Sequence, residues 1–455
     1  MTGPNRRAAR GHLFTLDPSR EYPVLDRAEG VYVWDAEGRR YLDAIAGIGV
    51  ATIGYGRREV VDAMAEQAAR LPYAVGNIFS NAPAIRLAER IGTLTPGDLD
   101  WVHFTSGGSE AVEVALKLAR QYHVIRGAPE RQVIISRWTS YHGATLGTLS
   151  VGGSKLRGRV YEPLLLDTPH IPPSYCYRCP WGLTYPSCGI TCATELDAAI
   201  RAAGPERVAA FIAEPVVASV GGAIWPVDEY WPMIREICDR HGVLLIADEV
   251  VTGFGRTGRD FAVDHWGVVP DLLVMGKGMS GGYAPLGAVA IRAPIRAAFE
   301  EQGAAFEHIF TFGGNPVSAA AGLAVVDVWE RERLTEHVAE LGPGFAAALE
   351  PLRRFPFVGD VRTLGFMAGI EFVEDRETRR PFPPEARVAA KAREAGLQAG
   401  IVTYPGTGMA EGPGGRPAGD IISLYPPLTF QPSHIVEMGA RLADAFARLD
   451  RELDL

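Results

Sequence analysis

The chain reads as an α/β protein built around a mostly parallel sheet, and three observations carry that reading. Short apolar runs recur as QVIIS (132–136), VAAFIAEP (208–215), VLLIADEV (243–250) and DLLVMG (271–276). They are continuous rather than alternating, as strands buried on both faces require. Amphipathic helical patterns such as EYWPMIREICDRHG separate them, with Gly242 as the stop signal. Each run also leads into a polar residue: Ser136, Glu214, Asp248 or Lys277. In open α/β sheets ligands sit outside the carboxyl ends of the strands, so these four residues mark the expected site.

Taken in order, GVYVWDAEGRRYLDA predicts a hairpin with its turn near Glu37-Gly38. WVHFTSGGSEAVEVALKLAR (101–120) predicts a strand, a glycine turn and a helix. One loop, helix and strand fit between Asp248 and Lys277, so both can end neighbouring strands. After about residue 330 the character changes. Helical charge patterns (VWERERLTEHVAEL) give way to VGDVRTLGFMAGIEFVED, a hairpin or meander with Gly365 at the turn. A helix (PPEARVAAKAREAGL), a Gly/Pro-rich loop over 405–417, a short strand (IISLYPPL) and a terminal helix follow. The expected organisation is an N-terminal segment, 1–60, that contributes to a small domain, a large ligand-binding domain over 61–330, and a small α+β domain over 331–455.

Composition narrows the class. Of 455 residues 47% are hydrophobic and 22% charged, which suits a soluble protein with a substantial core. The net charge is -9 and no basic run occurs, which argues against nucleic acid as a partner. No apolar stretch approaches the ~20 residues that cross a bilayer. The N-terminal arginines are not followed by an apolar segment of the secretory kind, so a cytoplasmic enzyme is expected. Cys176, Cys179, Cys188 and Cys192 cluster as C-x2-C-x8-C-x3-C, a spacing a small zinc loop could use. Free thiols or disulfides are the alternatives. Cys238 reads as a core thiol.

Lys277 is one of only four lysines, against 41 arginines, and stands between Gly276 and Gly278. A lysine amine can lose its proton and attack a carbonyl, which a guanidinium does not do. Lysine is therefore the residue for imine chemistry with carbonyl substrates and with pyridoxal 5′-phosphate; the plain alternative is a surface lysine in a glycine loop. Ser106, Gly107, Gly108 and Ser109 stand where a helix starts, which is an anion site or, more simply, a helix start capped by Ser109. Asp248 and Glu249 end an apolar run in LLIADEV. Such a pair can cap a turn, or its carboxylate can hold a heteroaromatic nitrogen protonated. Tyr141, followed by His142 and Gly143, can stack on a flat ring or belong to the core. Glu214 ends another run, and Thr311 lies in the turn-rich FTFGGNP.

The motifs FTSGGSEAVEVALKLAR, SYHGAT, AEPV, LLIADEVVTGFGRTG, KGMSGGYAPLGAV and TFGGNPVSAAAGLA occur in this order over residues 101–330. Together they resemble the class III aminotransferases, the ω-aminotransferase group of fold-type I pyridoxal-phosphate enzymes. DAIAGIGVATIGYGRREV and GRPAGDIISLYPPL extend the resemblance over nearly the full length. It implies a large domain around a mostly parallel sheet and a smaller α+β domain. It implies that Lys277 bonds the cofactor and later carries the proton, and that Asp248 pairs with the pyridine nitrogen. Val250 and Tyr141 would pack on the two ring faces, with His142 beside them. Glu214 would orient the residues near the ring, and Gly107, Gly108 and Ser109 would hold the phosphate. Thr311 would reach the phosphate of a neighbouring subunit, which makes the enzyme a homodimer or a dimer of dimers.

Departures from the pattern narrow the substrate. Members acting on 4-aminobutyrate or ornithine carry an arginine after Tyr-His-Gly, where this chain has Ala144, and a glutamate switch where it has Ser219. Their α-carboxylate arginine aligns with Ser423. Arg416-Pro-Ala-Gly-Asp420 matches instead the amine:pyruvate branch, in which that arginine takes the substrate carboxylate. That branch often has tryptophan where Gly49 stands, so the pocket wall differs there. The expected reaction is a ping-pong transfer of an amino group from an amine or ω-amino acid to a small 2-oxo acid, with pyruvate favoured. The same scaffold also serves amino-acid racemases, aminomutases and a decarboxylase.

Overall fold

A computed structural model describes residues 12–17, 20–406, 408 and 419–453. Its described strands form three sheets. The first holds β1 (Leu25–Glu29), β2 (Tyr32–Asp35) and β3 (Arg40–Asp43), a meander whose β2–β3 turn contains Gly38 at φ 80°. Seven strands make the central sheet: β4 (Trp101–Thr105), β5 (Val133–Arg137), β6 (His170–Ile171), β7 (Val208–Ala213), β8 (Leu244–Asp248), β9 (Leu272–Met275) and β10 (Gly287–Ile291). Their order is β4-β10-β9-β8-β7-β5-β6. All are parallel except β10, which runs antiparallel to both of its neighbours. The third sheet contains β11 (Val358–Leu364) and β12 (Met367–Phe372), joined through Gly365 at φ 55°, and further along the chain β14 (Tyr404–Gly406) and β15 (Asp420–Leu424). Between them in sequence, β13 (Ile401–Val402) leaves this sheet and pairs in parallel with β3, tying the N-terminal meander to the C-terminal chain.

Helices cover both faces of the central sheet. The helix Gly108–Ile125 packs Ala111, Ala115 and Leu118 against Ile246, Val274 and Val289 on one face. The helix Tyr230–His241 packs Tyr230, Trp231 and Ile234 against Phe211 and Leu245 on the other, and ends where Gly242 takes φ 63°. Alternate residues of β7 and β8 therefore enter opposite layers, which is why these strands read as continuous apolar runs. The crossover from β8 to β9 differs from expectation. It carries only the 3₁₀ turn Ala262–Trp266 and no α-helix. Gly255 (φ 88°) and Gly258 (φ 80°) take left-handed conformations inside it, which no helix accommodates.

The C-terminal sheet is clamped to the central one. Arg362 on β11 donates to the carbonyls of Gly221 (2.9 Å) and Gly222 (3.1 Å), and to Glu371 on β12 (3.1 Å). Tyr175 also bonds Glu371, and Arg178 pairs with it at 2.5 Å. The cysteine segment is thereby fastened to β12. Its thiols are free, and among the described residues no group of three or more Cys, His, Asp and Glu is arranged to hold a metal. The four thiols lie within electrostatic reach of one another without forming such a group. Burial pushes the Cys192 thiol up to about 11. No described helix is long and apolar enough to cross a membrane.

A Cβ on Gly369 of β12 would lie 2.0 Å from the Gly222 carbonyl oxygen. That neighbour is backbone and cannot rotate away. Gly369→Ala is therefore expected to lower stability by roughly 1–3 kcal/mol, the cost of overpacking, read as a drop in Tm by calorimetry. An unchanged Tm would mean that the 219–222 turn is free to move.

Candidate active site

β7, β8 and β9 are adjacent, so Glu214, Asp248 and Lys277 meet at their carboxyl ends. They line one cavity of about 140 Å³ with Gly108, Ser109, Tyr141, His142, Gly143, Val216, Ser219, Val250, Val251 and Thr252. The helix Gly108–Ile125 points its N-terminus at this cavity, with Gly107 rather than Ser109 as N-cap. The Ser109 hydroxyl accepts instead the Ala144 N–H at 3.1 Å, joining the helix start to the loop after Tyr141. Gly108 is required by packing, because a Cβ there would meet Val250 Cγ1 at 2.9 Å. Val250 in turn stands on the cavity wall, positioned by its N–H bond to Asp248 Oδ1 at 3.1 Å.

The two carboxylates are buried but satisfied. Asp248 Oδ2 contacts His142 Nδ1 at 2.7 Å, and the His142 side chain is wholly out of solvent. Glu214 accepts the Tyr141 N–H through one oxygen and the Ala218 N–H through the other, both at 3.0 Å. Burial, with the charge of Asp248 adding to it, holds the Glu214 carboxyl above its ordinary range. Lys277 takes φ 41° at the start of a 3₁₀ turn, a left-handed conformation unusual for a residue with a side chain. Burial pushes its amine down; Asp248 and Glu214 oppose that, while Arg256 and Arg157 reinforce it. A lowered amine is a better nucleophile near neutral pH.

These residues fit pyridoxal 5′-phosphate on the chemistry of the donor set. A desolvated amine, a buried carboxylate and a helix N-terminus converge on one cavity, as an aldehyde, a ring nitrogen and a phosphate require. The comparisons agree. Residues 17–446 match the family Aminotransferase class-III. The chain belongs to this family. It is a pyridoxal-phosphate-dependent aminotransferase of fold type I. It is 37% identical to a putrescine–pyruvate aminotransferase of Pseudomonas aeruginosa, over 91% of this chain and 88% of that protein. It is 38% identical to an adenosylmethionine-8-amino-7-oxononanoate aminotransferase of Geobacter sulfurreducens, over 90% and 89%. An (S)-enantioselective ω-transaminase from Thermomicrobium roseum superposes with a TM-score of 0.90 at 37% identity, covering 97% of both chains.

Not every expected residue reaches the cavity. Gly49 sits behind it, buried at φ 75°, where a Cβ would touch Val251 Cγ1 at 3.4 Å. Thr311 is exposed, its carbonyl accepting the Tyr73 hydroxyl at 3.1 Å, and it does not line the cavity of its own chain. Arg416 lies outside the described residues. Two contacts escaped the sequence reading. His142 on Asp248 joins residues from separate strand ends, and no local pattern announces it. Arg157 places its guanidinium carbon 4.6 Å over the Tyr141 ring. Arg256, in the GFGRTG motif, is fully buried on the carbonyls of Phe366 and Pro426, and burial pushes it down to about 9.

Glu249, next to Asp248, is a structural acid. It accepts the Thr252 hydroxyl and the Val263 N–H (2.9 Å), and burial pushes it up to about 7 from the 4.5 of a free carboxyl. A raised acid contributes stability below the unfolded value and loses it as pH climbs through the folded one. Relative to Glu249→Gln, the wild type should therefore lose up to about 3 kcal/mol between pH ~5 and pH ~8. Urea unfolding of both proteins at the two pH values measures this, and parallel curves would refute it.

Proposed function

We propose that this aminotransferase takes the amino group of an amine or ω-amino acid and passes it to a small 2-oxo acid, pyruvate, in a ping-pong cycle. The observation that carries the donor reading is the neutral wall around Lys277. Tyr141, Val216, Ser219, Val251 and Thr252 stand there, and no arginine lines the cavity among the described residues. A donor with a carboxylate beside its reacting amine would find a cation only in Arg416, which a carboxylate-free donor does not need. For the acceptor, Arg416 in its Arg-x-x-Gly-Asp setting is the cation we assign to the oxo acid's carboxylate, and the similarity to a putrescine–pyruvate aminotransferase of Pseudomonas aeruginosa supports pyruvate.

Bound in the cavity, the cofactor supplies a carbonyl for the incoming amine and an electron sink for the bond broken at Cα. The chain's own residues divide the remaining work. Lys277 is the amine that holds the cofactor and then moves the proton. Asp248, fixed by His142, is the carboxylate for the ring nitrogen. Tyr141 and Val250 flank the ring, and Glu214 steadies the Tyr141 loop. Gly107, Gly108 and Ser109 at the helix start receive the phosphate. We assign residues 61–330 to the cofactor-binding part and 1–60 with 331–455 to the smaller part, a division supported by the β3–β13 pair.

A homodimer, or a dimer of dimers, completes this reading. Thr311 lies on the outside beside Phe312, Ile309, Phe79 and Ile78, all more than half exposed. Tyr73 ties the two stretches together, its ring 6.1 Å from that of Phe312. An apolar patch of this kind suits a partner surface.

Two outcomes are expected. Mixing the holoenzyme with a diamine, an ω-amino acid or a simple alkylamine should bleach the cofactor absorbance, and pyruvate should restore it. Restoration by 2-oxoglutarate alone would defeat the acceptor assignment. Lys277→Ala should retain cofactor on gel filtration yet lose roughly 10²–10⁴-fold or more in turnover. Borohydride treatment and peptide mapping of the wild type should mark Lys277; a mark on Lys117, Lys155 or Lys391 would sink the assignment.

A further inference from the structure

A second cavity, of about 340 Å³, adjoins the one around Lys277 and shares Ser219 as a common wall. Its other sides come from the 154–157 segment, the 384–390 turn and helix start, and the ends of β14 and β15. Among the described residues two cations line it, Arg157 and Arg387, against one carboxyl, Asp420. Asp420 is already engaged. Its Oδ1 accepts the Ala389 N–H at 2.9 Å, and burial raises its carboxyl toward the neutral form. Neither arginine has a carboxylate within ion-pairing distance among the described residues.

Arg157 is not a loose surface side chain. Its guanidinium lies 4.6 Å over the Tyr141 ring, and Tyr141 is a wall of the Lys277 cavity. It also donates to the Tyr404 hydroxyl at 3.2 Å, which anchors it to β14 on the far side of the second cavity. One face of the guanidinium is thus occupied by the ring and one N–H by the hydroxyl, and among the described residues its other donors remain for a ligand. Its charge reaches Lys277, so a group held by Arg157 lies within electrostatic range of the reacting amine.

We propose that this cavity is a subsite for the distal carboxylate of the amino donor, with Arg157 as its principal cation and Arg387 as the second. The proposal rests on the donor reading above and selects within it. The neutral wall accepts the reacting amine end, and the arginine-lined cavity accepts the anionic tail, so the preferred donor is an ω-amino acid rather than a diamine or a plain amine. A guanidinium with free N–H groups can take a carboxylate by two parallel hydrogen bonds, which a lysine in its place cannot reproduce.

The test is a ratio. With pyruvate as acceptor, kcat/KM is measured for a series of unbranched ω-amino acids and for the n-alkylamines of matching length, in wild type, Arg157→Ala and Arg157→Lys. The wild type should favour the amino acid. Arg157→Ala should lower the amino-acid-to-alkylamine ratio by roughly ten- to a hundredfold, the worth of a charge-assisted hydrogen bond, and Arg157→Lys should restore part of it. Arg157→Glu should turn the preference toward a diamine. A wild-type ratio near one, or a ratio that Arg157→Ala leaves unchanged because both donors fall alike, overturns the subsite and leaves the donor reading standing. Failure of every donor with pyruvate in the wild type would overturn the donor reading and the subsite with it.

Discussion

Two carboxylates buried side by side at the ends of neighbouring strands set the terms for the whole site. Burying such charge is costly unless each oxygen is hydrogen-bonded. Glu214 meets that demand by holding two backbone amides, and Asp248 by holding His142 and the Val250 amide. These bonds are also what fix the loops after β5, β7 and β8. The scaffold's electrostatic problem and its positioning problem therefore share one solution. Lys277 sits within the field of both acids while burial works against its charge, and the balance of the two decides how readily its amine is free.

The C-terminal sheet bears on the site less directly. Arg362 and Gly369 both press on the turn that follows Ser219, one by hydrogen bonds and the other by having no side chain. Ser219 is the wall common to the two cavities, so the packing of β11 and β12 bears on the boundary between them. Arg256 adds a second link through the carbonyls of Phe366 and Pro426. Residues far from Lys277 in sequence thereby hold its surroundings without touching a reactant.

Much of the fold was legible because burial on both faces leaves a mark in the sequence. β5, β7, β8 and β9 appeared as unbroken apolar runs; Glu214, Asp248 and Lys277, which end three of them, line the cavity, whereas Ser136 lies buried within β5 and does not. β10 left no such mark. Its sequence, GAVAI, is mostly small residues without a period, and Gly287 is there because a Cβ would lie 2.6 Å from the Gly107 carbonyl oxygen. The length of the β8–β9 crossover leaves room for a helix, but length alone does not show that Gly255 and Gly258 take left-handed conformations inside it. The His142–Asp248 contact joins separate strand ends, and Arg157 is one arginine among 41. In both cases the information is spatial, and one sequence alone does not carry it.

The single reversed strand imposes a schedule on the nascent chain. Among the described residues β4 pairs with β10 alone, with Thr105 opposite Gly287. The parallel strands from β5 to β9 can associate as they leave the ribosome, but β4 must wait at the margin until residues 287–291 arrive and slot in between it and β9. The glycine turn at 107–108 follows directly on β4. The glycine turn we assign to the cofactor's anionic group is therefore secured by one of the last insertions in the sheet, and a truncated product ending before β10 would hold Asp248 and Lys277 yet lack that turn in its seated form.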